Sequence, residues 1–192
     1  MFARSLAACG LALLLAGCLP ESLNPLTLPE QALEAPEILG LWRSEVDDAT
    51  LFIHVLRGDG NQLEVVAVGH EADGSGSTEL YVGHVSQIGL RRYVNLQTVD
   101  ARPDDSPSYW FVAYEPGDDD EVTLLFLSAD TLARAVADGR LTGETSQDSL
   151  GQNVRLTGSG QEIAAFLAET DAKELFDQAL DLVPVSVAPA AP

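Results

Sequence analysis

The chain has 192 residues, of which 46% are hydrophobic and 21% are charged. This composition is typical of one globular domain with additional segments, and it excludes an intrinsically disordered chain and a multi-pass membrane protein. The 30 acidic and 10 basic residues give a net charge of −20. A surface this negative repels phosphate backbones and anionic lipid headgroups, which excludes nucleic acid as a partner and polybasic adhesion to membranes.

The first 17 residues have the pattern of a secretory signal peptide, with a positive charge at Arg4 followed by an apolar run. The run is shorter than the ~20 apolar residues that a spanning helix needs. Its end resembles the lipobox of bacterial lipoproteins. The resemblance implies cleavage before a cysteine that is then lipidated. In this chain the signal-peptidase motif is Leu15, Ala16 and Gly17, and the lipidated residue is Cys18.

Lipidation at Cys18 would make the membrane a partner through the attached acyl chains, because several chains on one residue anchor a protein stably. Leu19 follows the cysteine, where the inner-membrane retention signal of these lipoproteins typically has Asp. The resemblance therefore implies an outer-membrane location facing the periplasm. The other cysteine, Cys9, lies in the segment expected to be removed, so we expect neither a disulfide framework nor a cysteine-based metal site.

The remaining chain divides into three parts. Residues 18–36 begin with the cysteine and contain four prolines, and because proline restricts φ we expect an extended tether. Residues 37–183 form a single β-rich domain, which is large enough to fold without disulfides. Residues 184–192 are short and rich in Pro and Ala, and we expect a flexible tail.

The first part of the domain, from Gly40 to Leu127, contains apolar runs separated by turn signals such as Asp59-Gly60 and Asp73-Gly74. This spacing indicates a meander of antiparallel strands that curls into a sheet or a barrel. The run at 109–114 is apolar on both faces, so downstream helices are the candidates to cover its outer face. The predicted strands are 41–46, 50–56, 63–70, 78–88, 91–99, 109–114 and 122–127.

After Leu127 the hydrophobic period changes from strands to helices. Ser128 is a predicted N-cap for a helix over 128–138, and strand character returns at 141–144 and 153–157. A capping box at 159–162 begins a second helix. Asp171 begins a third predicted helix, whose apolar stripe is Leu175, Phe176, Ala179 and Leu180.

The opening of the first strand, Gly40-Leu41-Trp42, resembles the Gly-x-Trp motif of lipocalins, whose tryptophan closes one end of the barrel. The resemblance implies a mainly β fold, a curled antiparallel sheet or small lipocalin-like barrel, with two or three packed helices. The helix predicted at 128–138 departs from the simple lipocalin order. Over most of its length the chain also resembles uncharacterised bacterial lipoproteins, and this resemblance implies no activity.

Searches for catalytic and metal-binding patterns give no site. A cluster of His70, Glu71 and His84 is conceivable, but we expect these histidines, like His54, to be ordinary strand residues, and we predict no metal site. The acidic run 118–121 lacks the ligand spacing of a calcium loop. No nucleophile elbow and no Ser-x-x-Lys motif occurs in the sequence. We therefore expect no catalytic residues, no cofactor and no enzymatic activity.

The aromatic residues allow two interpretations. Trp42, Tyr93, Trp110 and Phe111 could line a ligand cavity, or they could pack in a solid core, because strands favour aromatic residues in either case. The basic pair Arg91-Arg92 is expected to have a structural role, with binding of an acidic ligand group as the alternative.

The sequence thus predicts a lipid-anchored protein of the cell envelope that acts without catalysis, as an accessory or protein-interaction module with an envelope protein as its partner. The alternative is a lipocalin-like carrier that binds a small hydrophobic molecule.

Overall fold

The computed structural model describes residues 19–46, 48–99, 108–118, 120–149 and 151–186. The predicted signal peptide, Cys18 and residues 187–192 lie outside this part of the chain. The described residues form eleven β-strands and three α-helices. The elements are β1 Glu21–Ser22, β2 Gly40–Val46, β3 Ala49–Arg57, β4 Leu63–His70, β5 Gly76–Ile88, β6 Arg91–Thr98, β7 Tyr109–Pro116, β8 Val122–Leu127, α1 Ala129–Ala137, β9 Gly143–Gln147, β10 Gln152–Leu156, α2 Gly160–Glu169, α3 Ala172–Leu175 and β11 Phe176–Pro184.

Eight strands close into an antiparallel barrel, which confirms the predicted fold class. Each strand from β2 to β8 pairs with the next, β8 pairs with β11, and β11 pairs with β2. Glycine is needed in the tight hairpins, where Gly74 and Gly89 have φ of 85° and 61°. The barrel is therefore a meander of seven strands closed by one strand from the end of the domain.

That closing strand corrects the third predicted helix. The helix begins at its Asp171 N-cap as expected, but α3 ends at Leu175, and the chain continues as β11. The stripe of Leu175, Phe176, Ala179 and Leu180 fits a helix, yet Leu180 and Leu182 alternate with the exposed Asp181. This period of two suits a strand with one face inside the barrel. The long-range pairing with β8 outweighs the local helical pattern.

A small side sheet branches from β7. The edge of β7 pairs with β8 from Val112 onward, whereas Tyr109 and Trp110 pair with β1 on the same edge. Strand β1 continues to β10 in parallel and then to β9. The branch gives the N-terminal residues a fixed place beside the barrel.

The helices pack on the outer face of β6 and β7 and form a second core there. Tyr93 and Ala113 are fully buried under this layer, together with Leu132 of α1 and Ile163 of α2. The prediction that downstream helices cover the apolar outer face is confirmed. No helix among the described residues is sufficiently long and apolar to span a bilayer.

The predicted N-terminal tether is wrong for the residues that the structure describes. Leu26 is buried, and its backbone N–H donates to the Asn95 Oδ1 atom at 2.8 Å. Further along, the Leu33 N–H donates to the Val85 carbonyl at 3.0 Å. The prolines prevent a long regular strand, but the apolar residues between them find buried positions on the barrel. The segment is therefore a structural part of the domain.

Asn95 is the polar residue that holds this segment. It is fully buried, and its Nδ2 group donates to the His84 carbonyl at 3.1 Å and to the Ser86 hydroxyl at 2.8 Å. Asn95→Ala should lower the free energy of unfolding by about 2–3 kcal/mol, because the Leu26 N–H loses its partner in a buried place. Urea unfolding measures the loss. Gln87→Ala, which removes an exposed amide from β5, is the matched control, and an equal effect of both variants would contradict the assigned role.

Candidate functional site

The barrel encloses a cavity of about 670 Å³. This volume lies within the range of about 300–1,000 Å³ that is usual for small-molecule sites in proteins. The cavity exists because the inward positions of the central strands carry short or branched apolar side chains, among them Val55 of β3 and Ala67 of β4. Such side chains leave the middle of the barrel unfilled.

Aromatic residues form the broader parts of the cavity wall. Trp42, Tyr81, Trp110 and Tyr114 all line it. Tyr81 and Trp110 contact each other edge to face, with ring centroids 5.9 Å apart. Because Trp42 and Trp110 are the two tryptophans of the chain, the intrinsic fluorescence of the protein reports directly on this cavity.

The polar atoms of these aromatic residues already have partners. The Trp42 Nε1–H donates to the Ile38 carbonyl at 2.8 Å. The Tyr114 hydroxyl donates to Glu37, and the Tyr81 hydroxyl donates to Glu79. Burial and the neighbouring carboxylate raise the pKa of Tyr81 well above its usual value. The aromatic residues therefore present mainly carbon to the cavity, which suits an apolar guest.

One end of the barrel is closed by the N-terminal segment, where Ala35 and Ile38 are buried in the barrel core. A polar cluster holds this end together. The Glu37 Oε1 atom accepts from the Tyr114 hydroxyl at 2.7 Å and from the Arg92 Nη1 group at 2.5 Å. Burial raises the pKa of Glu37, but the hydrogen bonds and the guanidinium charge together bring it below its ordinary value. The expected structural role of Arg92 is confirmed.

Two of the four predicted cavity residues lie in the cavity wall and two do not. Trp42 and Trp110 line the cavity. Tyr93 and Phe111 instead point outward into the second core under the helices, which corrects their prediction. The reason is the alternation of side chains along a strand: Phe111 follows Trp110, so it must face the other side. Tyr81 and Tyr114 also line the cavity, and Tyr114 shares the parity of Trp110 along β7.

The histidines lie apart from the cavity lining. The buried His84 contacts the N-terminal segment, and its Nε2 atom lies 2.8 Å from the Thr27 carbonyl. Burial lowers the pKa of His84, so the neutral ring donates this hydrogen bond. His70 contacts the Phe52 ring edge to face. Across the described ranges, no group of three His, Cys, Asp or Glu residues is placed to hold a metal ion.

No protein-family model matches the sequence, and neither the curated proteins nor the solved structures include a significant match. Function must therefore be argued from the geometry and chemistry of the barrel.

The closed end gives a pH-dependent prediction. Glu37→Gln should reduce the free energy of unfolding near neutral pH on the order of 1 kcal/mol, because it removes the charge that Arg92 and Tyr114 contact. A carboxyl with a lowered pKa stabilises the fold above its unfolded pKa, and this contribution is lost as the pH falls through the folded pKa. Urea unfolding as a function of pH should thus show the two proteins converging in acid.

Glu34→Gln is the matched control for this measurement. Glu34 is exposed and contacts Arg57 only at 3.6 Å, so its loss should have little effect at any pH. A stability difference for Glu37→Gln that does not change with pH would contradict the electrostatic origin of the effect.

Proposed function

We propose that the chain is a lipid-anchored protein of the bacterial cell envelope that binds one small hydrophobic molecule inside its barrel. The observation that carries this proposal is the apolar cavity of about 670 Å³. An empty apolar space of this size is costly to the fold, since interiors are normally close-packed. A bound apolar molecule would restore the missing contacts. The proposal assigns no reaction to the protein.

The cavity favours an elongated, flexible apolar molecule such as an acyl chain. Its walls are mostly aliphatic, and the tyrosine and tryptophan polar atoms are satisfied elsewhere. Each buried methylene group contributes about 0.8 kcal/mol. A chain of about fifteen such groups would contribute roughly 12 kcal/mol, which leaves about 8 kcal/mol, or micromolar binding, after an association cost of about 4 kcal/mol is subtracted.

The predicted lipid anchor fits this ligand class. Acyl chains are scarce in water and concentrated in membranes, so a carrier gains from staying at a bilayer. Leu19, which follows the predicted lipidation site, itself lines the cavity. An anchor at Cys18 would therefore keep the cavity close to the membrane surface.

A second candidate function is the protein-interaction module, and one observation favours it. Leu56, Leu80 and Val82 are exposed on the outer faces of β3 and β5, and Leu80 is 42% exposed. Strand pairing places Leu56 and Val82 on either side of Glu64. Exposed apolar side chains grouped in this way are a feature of protein contact surfaces. Loss of a defined envelope partner on Leu80→Lys, with ligand binding unchanged, would support this candidate.

The binding proposal is tested first by identifying what the protein carries. The protein is isolated from envelope membranes, extracted with organic solvent, and the extract is analysed by mass spectrometry. A stoichiometric acyl-chain compound is expected. The decisive measurement is quenching of Trp42 and Trp110 fluorescence by a brominated acyl chain, because bromine quenches only at contact.

A cavity-filling variant tests the location of the ligand. Ala67→Phe places a large side chain inside the barrel and should weaken acyl-chain binding by at least about tenfold, since it removes the space for the guest. Titration of tryptophan quenching measures the affinity. Val66→Phe puts the same side chain on the outer face of β4 and should leave binding unchanged. Equal affinities for both variants would place the ligand outside the barrel.

The predicted anchor has a separate test. Cys18→Ser should abolish lipid attachment, because serine lacks the thiol that forms the thioether. Fractionation, combined with mass spectrometry of the N-terminus, should show an unprocessed or soluble species. A variant that is cleaved normally and still fractionates with the membrane would contradict the lipobox interpretation, whatever the barrel binds.

A further inference from the structure

The barrel wall is incomplete between β2 and β11. These strands form two residue pairs, Arg43 with Val183 and Trp42 with Pro184. Every other neighbouring pair of barrel strands forms at least five, as β6–β7 and β7–β8 do. From Ser44 toward the β2–β3 turn, no pairing with β11 occurs among the described residues. The two strands therefore separate over about half of the length of β2.

The cavity extends into this separation. In a closed wall only every second residue of a strand faces the interior, and β3 follows this rule, with Leu51, Ile53 and Val55 lining the cavity. On β2 and β11 consecutive residues line it instead, from Arg43 to Val46 and from Gln178 to Val183. Residues of both faces can contact one cavity only where the cavity passes between the strands. The separation is thus an opening in the side of the barrel.

Two carboxylates flank this opening. Continuing the register beyond the pair Arg43–Val183 places Glu45 opposite Asp181. Both are exposed, and each interacts on its own side of the opening. The Glu45 carboxylate lies 2.7 Å from the Arg43 guanidinium, and the Asp181 Oδ1 atom accepts from the Thr123 hydroxyl at 2.7 Å. Like charges that face each other on neighbouring strands destabilise their pairing. The two acids therefore oppose closure of the wall.

We propose that this opening between Glu45 and Asp181 is the portal through which an acyl chain with an uncharged polar end passes between the membrane and the barrel. The inference rests on the proposed function and adds the route and the type of end group. The apolar chain would lie in the cavity while its polar end stays at the portal, where Ser44 and Gln178 supply polar atoms. A carboxylate end would be repelled, because the Arg43 guanidinium offsets only one of the two acids and leaves the portal with a net negative charge.

The route through the portal avoids the end of the barrel that is blocked. Ala35 and Ile38 are buried at that end, and the Trp42 side chain bonds to the Ile38 carbonyl. Leu19 lines the same cavity. The competing route enters through the other end of the barrel, where the β2–β3 turn lies. Variants of the portal distinguish this route from entry through the side of the barrel.

The test is a charge exchange across the portal. Asp181→Lys replaces repulsion with attraction to Glu45 and should slow both uptake and release of the chain by about tenfold, which corresponds to ~1.4 kcal/mol of added barrier. The equilibrium affinity should stay nearly constant, because the cavity itself is unchanged. The double variant Glu45→Lys with Asp181→Lys again has like charges and should recover the original rates. Glu64→Lys carries the same change on β4, away from the portal, and serves as the control.

The readout uses the full chain and vesicles of phosphatidylcholine that contain a monoacylglycerol brominated on its chain. Stopped-flow quenching of tryptophan fluorescence gives the rates, and titration gives the affinity. The corresponding brominated fatty acid should bind about tenfold more weakly at neutral pH, because its carboxylate would lie beside two acids of which Arg43 offsets only one. Circular dichroism establishes that each variant is folded.

The possible outcomes separate the portal from the proposed function. Binding with rates that are the same in all variants contradicts the portal and leaves a barrel ligand in place. Absence of quenching in the unaltered chain contradicts both. Parallel measurements on Cys18→Ser identify the source of the acyl chain. If this variant takes up the brominated chain and the lipidated protein does not, the protein's own acyl chain fills the barrel. That outcome would overturn exchange with the membrane. Slow exchange in Asp181→Lys and recovery in the double variant support the portal.

Discussion

The short ladder between β2 and β11 is the constraint on which the rest of the structure depends. Two residue pairs join the first and last strands of the barrel. Without them the same strands would form an open, curled sheet and not a closed barrel. An additional backbone hydrogen bond, from the Val185 N–H to the Leu41 carbonyl at 2.8 Å, extends the ladder at its closed side. The ladder is long enough to close the wall, and short enough to leave part of it unpaired.

The position of β11 in the sequence explains the role of the helices. Strand β8 ends at Leu127 and β11 begins at Phe176, so the chain must leave the barrel and return to the neighbouring position. The intervening residues build the helical layer, which covers the apolar outer face of β6 and β7. Burial of that face stabilises the segment between β8 and β11. The same packing places α3 directly before β11, the strand that closes the wall. The segment that builds the second core is thus also the segment that brings β11 to its place in the barrel.

Most of the barrel could be predicted from local patterns. The hairpins have strong turn signals, and the N-cap side chains of Ser128, Ser159 and Asp171 each accept a hydrogen bond from the first turn of their helix. The predicted capping box at 159–162 is only half formed, because the Glu162 carboxylate accepts from the Thr142 N–H instead. The errors concern features that depend on distant residues. Strand β11 carries a helical stripe and becomes a strand only because β8 offers an edge. The N-terminal segment contains four prolines, and nothing near it in sequence indicates that Asn95 would bind Leu26.

The candidate site shows the same division. Its residue types were predictable, since barrels are built from aromatic and branched residues, but the sides they face were not. Tyr93 and Phe111 lie on the outer face, which is apolar because the helical layer covers it. A strand that is buried on both faces has no polar and apolar alternation, so its sequence does not show which face lines the interior. The opening between β2 and β11 could not be predicted from the sequence, because it depends on the residue at which the pairing of these two strands ends.

The acidic character of the chain bears on how such a barrel meets a membrane. A net charge of −20 disfavours close approach to an anionic lipid surface, whereas an acyl anchor acts in the opposite direction with a free energy that scales with its buried methylene groups. Salt screens the repulsion beyond about 8–10 Å and leaves the anchor unaffected. At physiological ionic strength the repulsion is therefore confined to groups within about a nanometre of the lipid surface. With the proposed anchor and portal, the domain would stay near the bilayer without adhering to it and would admit neutral chains more readily than charged ones.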